Sequence, residues 1–146
     1  MNQPASQENS SLGVVELRIP SKAEWVAVAR LAVAAVANRL NFSIEDIEDI
    51  KLAVAEACTN CIQHASGSNQ IEITCETEAE GLTVRVRDYG HGTRPEQIVS
   101  RRVDEPRVGG LGVFLIRSLM DTVEYDVSSD SGTNLVMTKK VQSSNP

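Results

Sequence analysis

Hydrophobic and polar residues alternate along Val14–Ile19, with Val15, Leu17 and Ile19 on one side. That period of two predicts a first strand, and Pro20 ends it. Ser21-Lys22-Ala23-Glu24 has the spacing of a capping box and opens a predicted helix from about Lys22 to Leu40. Ser43 with Asp46 opens a second helix to about Ala65, where Gly67 stops it. Alternation returns at Ile71–Glu76 and again at Leu82–Arg87, with Ile71, Ile73 and Cys75, then Leu82, Val84 and Val86, facing inward. Glu80-Gly81 supplies the turn of a hairpin between them. A Gly- and Arg-rich loop over Asp88–Gly110 leads into a helix from about Gly112 to Asp121. Strands Thr122–Val127 and Asn134–Lys140 close the chain around Ser131-Gly132. The order β-α-α-β-β-loop-α-β-β predicts an α+β fold, with a mixed, mostly antiparallel sheet covered on one face by helices. It is not the regular βαβ alternation of a doubly wound nucleotide fold.

Length and composition narrow this picture. With 146 residues the chain has room for one domain, over residues 13–141, between loose tails at 1–12 and 142–146. Aromatic residues are only 3%, so the core must be built from Val, Ile, Leu and Ala. The net charge of −6 argues against direct nucleic-acid binding, which needs a cationic surface. A small anion held by backbone N–H groups is not excluded by that charge. No apolar run is long enough to span a bilayer, and the polar N-terminus lacks a signal-peptide pattern. Cys58, Cys61 and Cys75 are read as reduced thiols, and the expected location is cytoplasmic. Cys58-x-x-Cys61 has redox-pair spacing, but it lies inside a helical pattern without a second ligand pair. Small residues on a helix are the simpler account.

Three constellations carry candidate chemistry. Glu56, Asn60 and His64 recur at every fourth position, which lines up a carboxylate, an amide and an imidazole on one helix face. A carboxylate there can serve as a general base and an amide oxygen can ligate Mg²⁺; a solvated polar stripe is the competing account. Asp88-Tyr89-Gly90-His91-Gly92 follows directly on a strand. Asp88 can accept a hydrogen bond from an exocyclic amine, and glycines let backbone approach a flat ligand, although Asp and Gly also form ordinary turns. Val108-Gly109-Gly110-Leu111-Gly112 runs into an apolar helix, whose free N–H groups and dipole make a phosphate cradle. It is neither a Walker A loop nor a Rossmann fingerprint, because no Lys-Ser/Thr follows and no strand precedes. Arg94, Arg101, Arg102 and Arg107 lie between the two glycine groups, where they can close over phosphates or simply be solvated.

The order and spacing of these three groups resemble the GHKL superfamily of ATP-binding proteins. Glu56 to His64 resembles its N box, Asp88-x-Gly90-x-Gly92 the next box, and Gly109-Gly110-Leu111-Gly112 the one after. Within the superfamily, Glu45–Asn60, Gly109–Asp121 and Met137-Thr138-Lys139 are similar to the anti-sigma factor serine-protein kinases of the RsbW-like and sporulation-switch type. The resemblance runs from Val14 to Val141. It implies a two-layer α/β sandwich of the Bergerat ATPase type.

It also implies ATP and Mg²⁺ as cofactors. Glu56 would be the general base toward a substrate serine, and Asn60 the Mg²⁺ ligand with His64 at the edge of the site. Asp88 would take the adenine amine, with Gly90, Gly92 and Thr133 beside it. Gly109, Gly110, Leu111 and Gly112 would meet phosphates, and Arg101, Arg102 or Arg107 would reach the γ-phosphate. The implied partners are an anti-sigma-factor antagonist as substrate, a sigma factor or other effector, and a second copy of the chain. Arg30, in the Ala/Val-rich first helix, is a partner contact on this reading and a snorkelling surface residue otherwise. One departure is the loop between Gly92 and Gly109, which is short for such a kinase and implies a lid that closes poorly. A binding protein that holds a partner without efficient phosphorylation is the alternative function. No direct nucleic-acid or membrane contact is expected.

Overall fold

Alternation in the strands decides which face of the sheet meets the helices. In the computed structural model, residues 12–64, 69–89, 111–128 and 132–142 are described. The strands are β1 (Gly13–Pro20), β2 (Gln70–Glu78), β3 (Gly81–Asp88), β4 (Thr122–Ser128) and β5 (Gly132–Lys140). The helices are α1 (Val26–Ala37), α2 (Ile44–His64) and α3 (Leu111–Leu119). The strands form one sheet in the order β1-β2-β3-β5-β4. Every neighbouring pair is antiparallel. β3 and β4 therefore run in the same direction, with β5 inserted between them and α3 making the crossover.

One side chain in two along β2, β3 and β5 is buried: Ile71, Ile73 and Cys75, then Leu82, Val84 and Val86, then Leu135 and Met137. They pack with Ala29 and Val33 of α1, Ile50, Val54 and Ala57 of α2, and Ile116 of α3. Each large aliphatic side chain buried in this way contributes about 1.5–3 kcal/mol. The opposite face of the sheet is polar. It carries, for example, Arg85, opposite Thr74 on β2, and the Arg18–Glu72 ion pair at 3.2 Å. The expected inward face of β1 is only partly realised. Ile19 is buried, whereas Val15 stays 44% exposed, because β1 is an edge strand.

The first helix departs from its expected bounds at both ends. Ser21 does not cap it. The Ser21 N–H bonds the Asn69 carbonyl and the Lys22 N–H bonds the Pro20 carbonyl. A 3₁₀ turn over Ala23–Trp25 follows, with Lys22 at its start and no side-chain cap. The α-helix begins only at Val26. At the other end, Arg39 and Leu40 donate to Val36 and Ala37, three residues back, so the helix tightens into a turn after Ala37. Ser43 does cap α2: the Asp46 N–H donates to Ser43 Oγ at 3.0 Å. Glu45 and Asp46 in that first turn suit the positive end of its dipole. The expected stop at Gly67 lies outside the described residues.

Lys139 ties the layers together. Its Nζ donates to the Leu119 carbonyl at 2.6 Å, at the C-terminal end of α3. The same ammonium lies 3.7 Å from Asp49 Oδ2 and 3.9 Å from Asp46 Oδ1 near the start of α2. The Asp121 N–H bonds the Thr138 carbonyl, and the Lys140 N–H bonds Asp121 Oδ2 at 2.6 Å. The C-terminal end of α3 is thus fastened to β5, which fixes where its N-terminal end points. Among the described residues, no helix is long and apolar enough to cross a membrane.

Candidate functional site

The N-terminal end of α3 meets the middle of α2. A Cβ added to Gly112 would stand 3.0 Å from Asn60 Oδ1, 3.3 Å from Asn60 Nδ2 and 3.4 Å from Glu56 Oε1. Glycine lets the first turn of α3 sit close against both polar groups without displacing them. Glu56 is half-buried. Asn60 is buried at 7% exposure, and its Nδ2 has no hydrogen-bond partner among the described residues. An unpaired buried amide costs roughly 1–3 kcal/mol, so the arrangement is kept at a price in stability. Carboxylate, carboxamide and helix N-terminus converge, a combination suited to a hard cation and an anion together. The Asn60 oxygen and nitrogen exchange by a 180° flip of the amide.

A second polar cluster lies at the end of β3. Asp88 is fully buried. The Thr133 hydroxyl donates to its Oδ2 from the neighbouring strand β5. Gly132 has φ +87°, and a Cβ there would collide with the Asp88 carbonyl and lie 3.0 Å from Asp88 Oδ1. Glycine is therefore required at this position on both conformational and steric grounds. Cys61 of α2 is buried close enough to feel the Asp88 carboxyl. Burial, reinforced by the charge of Asp88, pushes that thiol well above its ordinary value. Burial, ahead of the nearby Asp88, pushes the Tyr125 phenol of β4 up to about 12.

Tyr89 turns the other way. Its hydroxyl donates to Glu72, and Arg87 lies 4.8 Å over its ring. The hydrogen bond from Tyr89, ahead of the Arg18 contact, holds the Glu72 carboxyl below its usual value. Asp88 is thus directed into the helix layer while its neighbour is fastened on the open face.

Of the expected site residues, Glu56, Asn60 and Gly112 come together in one group, and Asp88 with Thr133 in another. α2 links the two groups, because Cys61 follows Asn60 directly. The His64 and Leu111 side chains, and Gly90, Gly92, Arg94, Arg101, Arg102, Arg107, Gly109 and Gly110, lie outside the described residues. So does the expected short lid. Arg30 is exposed on α1, a helix that also exposes Val28 and Leu31. The Cys58-x-x-Cys61 redox reading finds no support. Both thiols are free and buried, and burial pushes Cys58 up to about 12, which suppresses the thiolate such chemistry needs. Cys61 and Gly132 were not legible as site residues. Their only sequence signal is adjacency, Cys61 to Asn60 and Gly132 to Thr133.

Comparisons with known proteins agree with this fold. Residues 19–139 match the family model of the histidine kinase-like ATPase domain. A serine-protein kinase RsbW of Bacillus cereus is 38% identical over 138 residues, covering 88% of this chain and 85% of the relative. A serine-protein kinase RsbW of Bacillus anthracis gives the same values. Among solved structures, one containing the RsbU and RsbW domains of a Mycobacterium tuberculosis protein superposes with a TM-score of 0.63 at 13% identity. It covers 92% of this chain and 33% of that one. The histidine kinase domain of a blue-light activated histidine kinase from Erythrobacter litoralis gives a TM-score of 0.54 at 20% identity. It covers 84% of this chain and 62% of that one. At these identities the two structures speak for the fold alone.

Proposed function

Because this chain belongs to the histidine kinase-like ATPase domain family, and within it to the RsbW group of serine-protein kinases, we propose that it is an ATP-dependent serine-protein kinase and anti-sigma factor. Its protein substrate is a small anti-sigma-factor antagonist, and its second partner a sigma factor held in the same partner switch. The observation that carries the reading is the placement of Gly112 against Glu56 and Asn60. It supports the reading because it gathers a carboxylate, an amide and a helix N-terminus in one place.

The residues divide the work by their chemistry. Glu56 accepts the proton of the attacking serine hydroxyl, a role for which its half-buried position on α2 leaves it accessible. The α3 N-terminus, with Gly112 in its first turn, offers backbone N–H groups to phosphate oxygens. Asp88 accepts a hydrogen bond from the adenine amine and is held for that purpose by Thr133. Asn60 would hold Mg²⁺ through its amide oxygen with the amide flipped, which puts the oxygen where the orphaned, buried Nδ2 stands. The ion would neutralise phosphate charge during transfer. Positioning and charge neutralisation supply most of the catalysis in such a transfer.

The partner assignments belong to the same proposal. Arg30 is an exposed cation on α1, a helix that also exposes Val28 and Leu31, and is suited to a protein partner. The chain acts as a homodimer in the cytoplasm. The test is transfer of radiolabelled phosphate from ATP to a purified antagonist. Wild type labels it and Glu56→Ala does not, while both bind ATP. Equal labelling by the two proteins removes the kinase assignment and leaves a binding protein.

A further inference from the structure

We infer, on the ATP reading above, that Tyr89 and Glu72 are positioning residues for base recognition. From the open face of the sheet they hold the end of β3 so that the Asp88 carboxylate is aimed at the adenine amine. β3 ends at Asp88, so the aim of that side chain depends on what holds the chain directly beyond it. Tyr89 is held at two points. Its hydroxyl donates to Glu72 Oε1 on β2, and the Arg87 guanidinium lies 4.8 Å over its ring. Glu72 is held in turn, because its other oxygen, Oε2, accepts from Arg18 Nη2 of β1 at 3.2 Å. The strand register sets three of these side chains in one row across the sheet, with Arg18 opposite Glu72 and Glu72 opposite Arg87.

Successive side chains along an extended chain leave on opposite faces. Fastening residue 89 on the open face therefore obliges residue 88 to face the helix layer, where Asp88 is fully buried. Packing does not account for Tyr89. It is 51% exposed, so its ring adds little to the core, whereas the Glu72 side chain that it binds is only 21% exposed. Such a contact contributes orientation more than stability. An isolated surface ion pair is worth little. Here four side chains from three strands share one network, and each has less freedom left to lose once its neighbours are fixed. The network lies on the face of the sheet away from α2 and α3. It therefore acts on the nucleotide through Asp88 and not at the phosphate end of the site.

The experiment measures, by calorimetry on the full chain, affinity for ATP and for purine riboside triphosphate, which carries a hydrogen in place of the adenine amine. Wild type, Tyr89→Ala, Glu72→Ala and Glu72→Gln are compared, with the thermal midpoint of each nucleotide-free protein alongside. Wild type is expected to prefer ATP. Tyr89→Ala and Glu72→Ala are expected to lose about three- to tenfold in ATP affinity while binding the analogue as wild type does, so the preference falls by the same factor. Glu72→Gln, which keeps an acceptor for the Tyr89 hydroxyl, restores the preference. A role in packing alone would move the midpoint, or both affinities together, and leave the preference untouched. A wild-type preference in either alanine variant overturns the inference. Wild type that binds both nucleotides equally overturns the role of Asp88 and this inference with it. Wild type that binds neither overturns the broader nucleotide reading, and both of these results are read before any variant.

Discussion

The Thr133 hydroxyl donates to the Asp88 carboxylate across 45 residues of chain, a contact made because β3 and β5 are neighbours in the sheet although α3 and β4 separate them in sequence. It fixes a buried charge at the end of a central strand. Replacing Asp88 with Asn keeps the shape and exchanges an acceptor for a donor. ATP affinity should fall at least about a hundredfold, because a buried hydrogen-bonding site rejects a mismatched partner strongly. Thr133→Val removes one orienting donor and should cost about three- to tenfold. Calorimetry distinguishes the two, and wild-type affinity in Asp88→Asn would sink the base-reading assignment.

Gly112→Ala separates stability from activity. Alanine favours a helix over glycine by up to about 1 kcal/mol, so the thermal midpoint should hold or rise. The new methyl would press on Asn60 Oδ1 at 3.0 Å and Glu56 Oε1 at 3.4 Å. Phosphoryl transfer should drop by about tenfold or more, since small displacements of reacting groups are costly. A variant that is both as stable and as active as wild type contradicts the role given to this approach.

Lys139 should behave as a structural tie. Lys139→Met keeps the alkyl stem but removes the bond to the Leu119 carbonyl at 2.6 Å and the charge near Asp46 and Asp49. The two carboxylates are partly exposed, with side-chain exposures of 18% and 41%, so the ion pairs are screened. The expected loss is about 1–2 kcal/mol, most of it from the helix-end hydrogen bond. A urea midpoint shifted by less than the error of the measurement would refute it.

Alkaline pH should destabilise the fold. Burial raises Cys58 from 9.0 to about 12 and Cys75 from 9.0 to about 11. It raises Tyr125 from 10.0 to about 12. Each folded value lies above the unfolded one, so the unfolded chain releases protons first. The stability is fully present below about pH 9 and is lost as pH rises toward 11–12. Urea melts at pH 8 and pH 10.5 should show the midpoint falling. At neutral pH the thiols should react with a disulfide reagent only slowly until denaturant is added.

Much of the architecture was legible in local patterning. Ile71/Ile73/Cys75 and Leu82/Val84/Val86 alternate strictly and are buried in that register, because one face of each strand must leave water. The cap at Ser43 was legible for the same local reason. Ser21 carried an equally good cap pattern and did not use it. Its N–H was taken by Asn69, a residue brought near only when β1 and β2 pair. Val15 shows the same limit: the pattern marks a face but not whether a helix covers it.

Sequence alone determined the element order, the strand faces and the residue types able to bind a nucleotide, because these depend on neighbours a few positions apart. It also placed Glu56 and Asn60 on one helix face, since their spacing is set by the helical period. Tertiary structure decided the rest. Placing β5 between β3 and β4 brought Thr133 and Gly132 to Asp88. Fastening the end of α3 to β5 through Lys139 and Asp121 set its start, at Gly112, against Asn60. Those contacts join residues distant in the chain, and only the burial of a shared core brings such residues together.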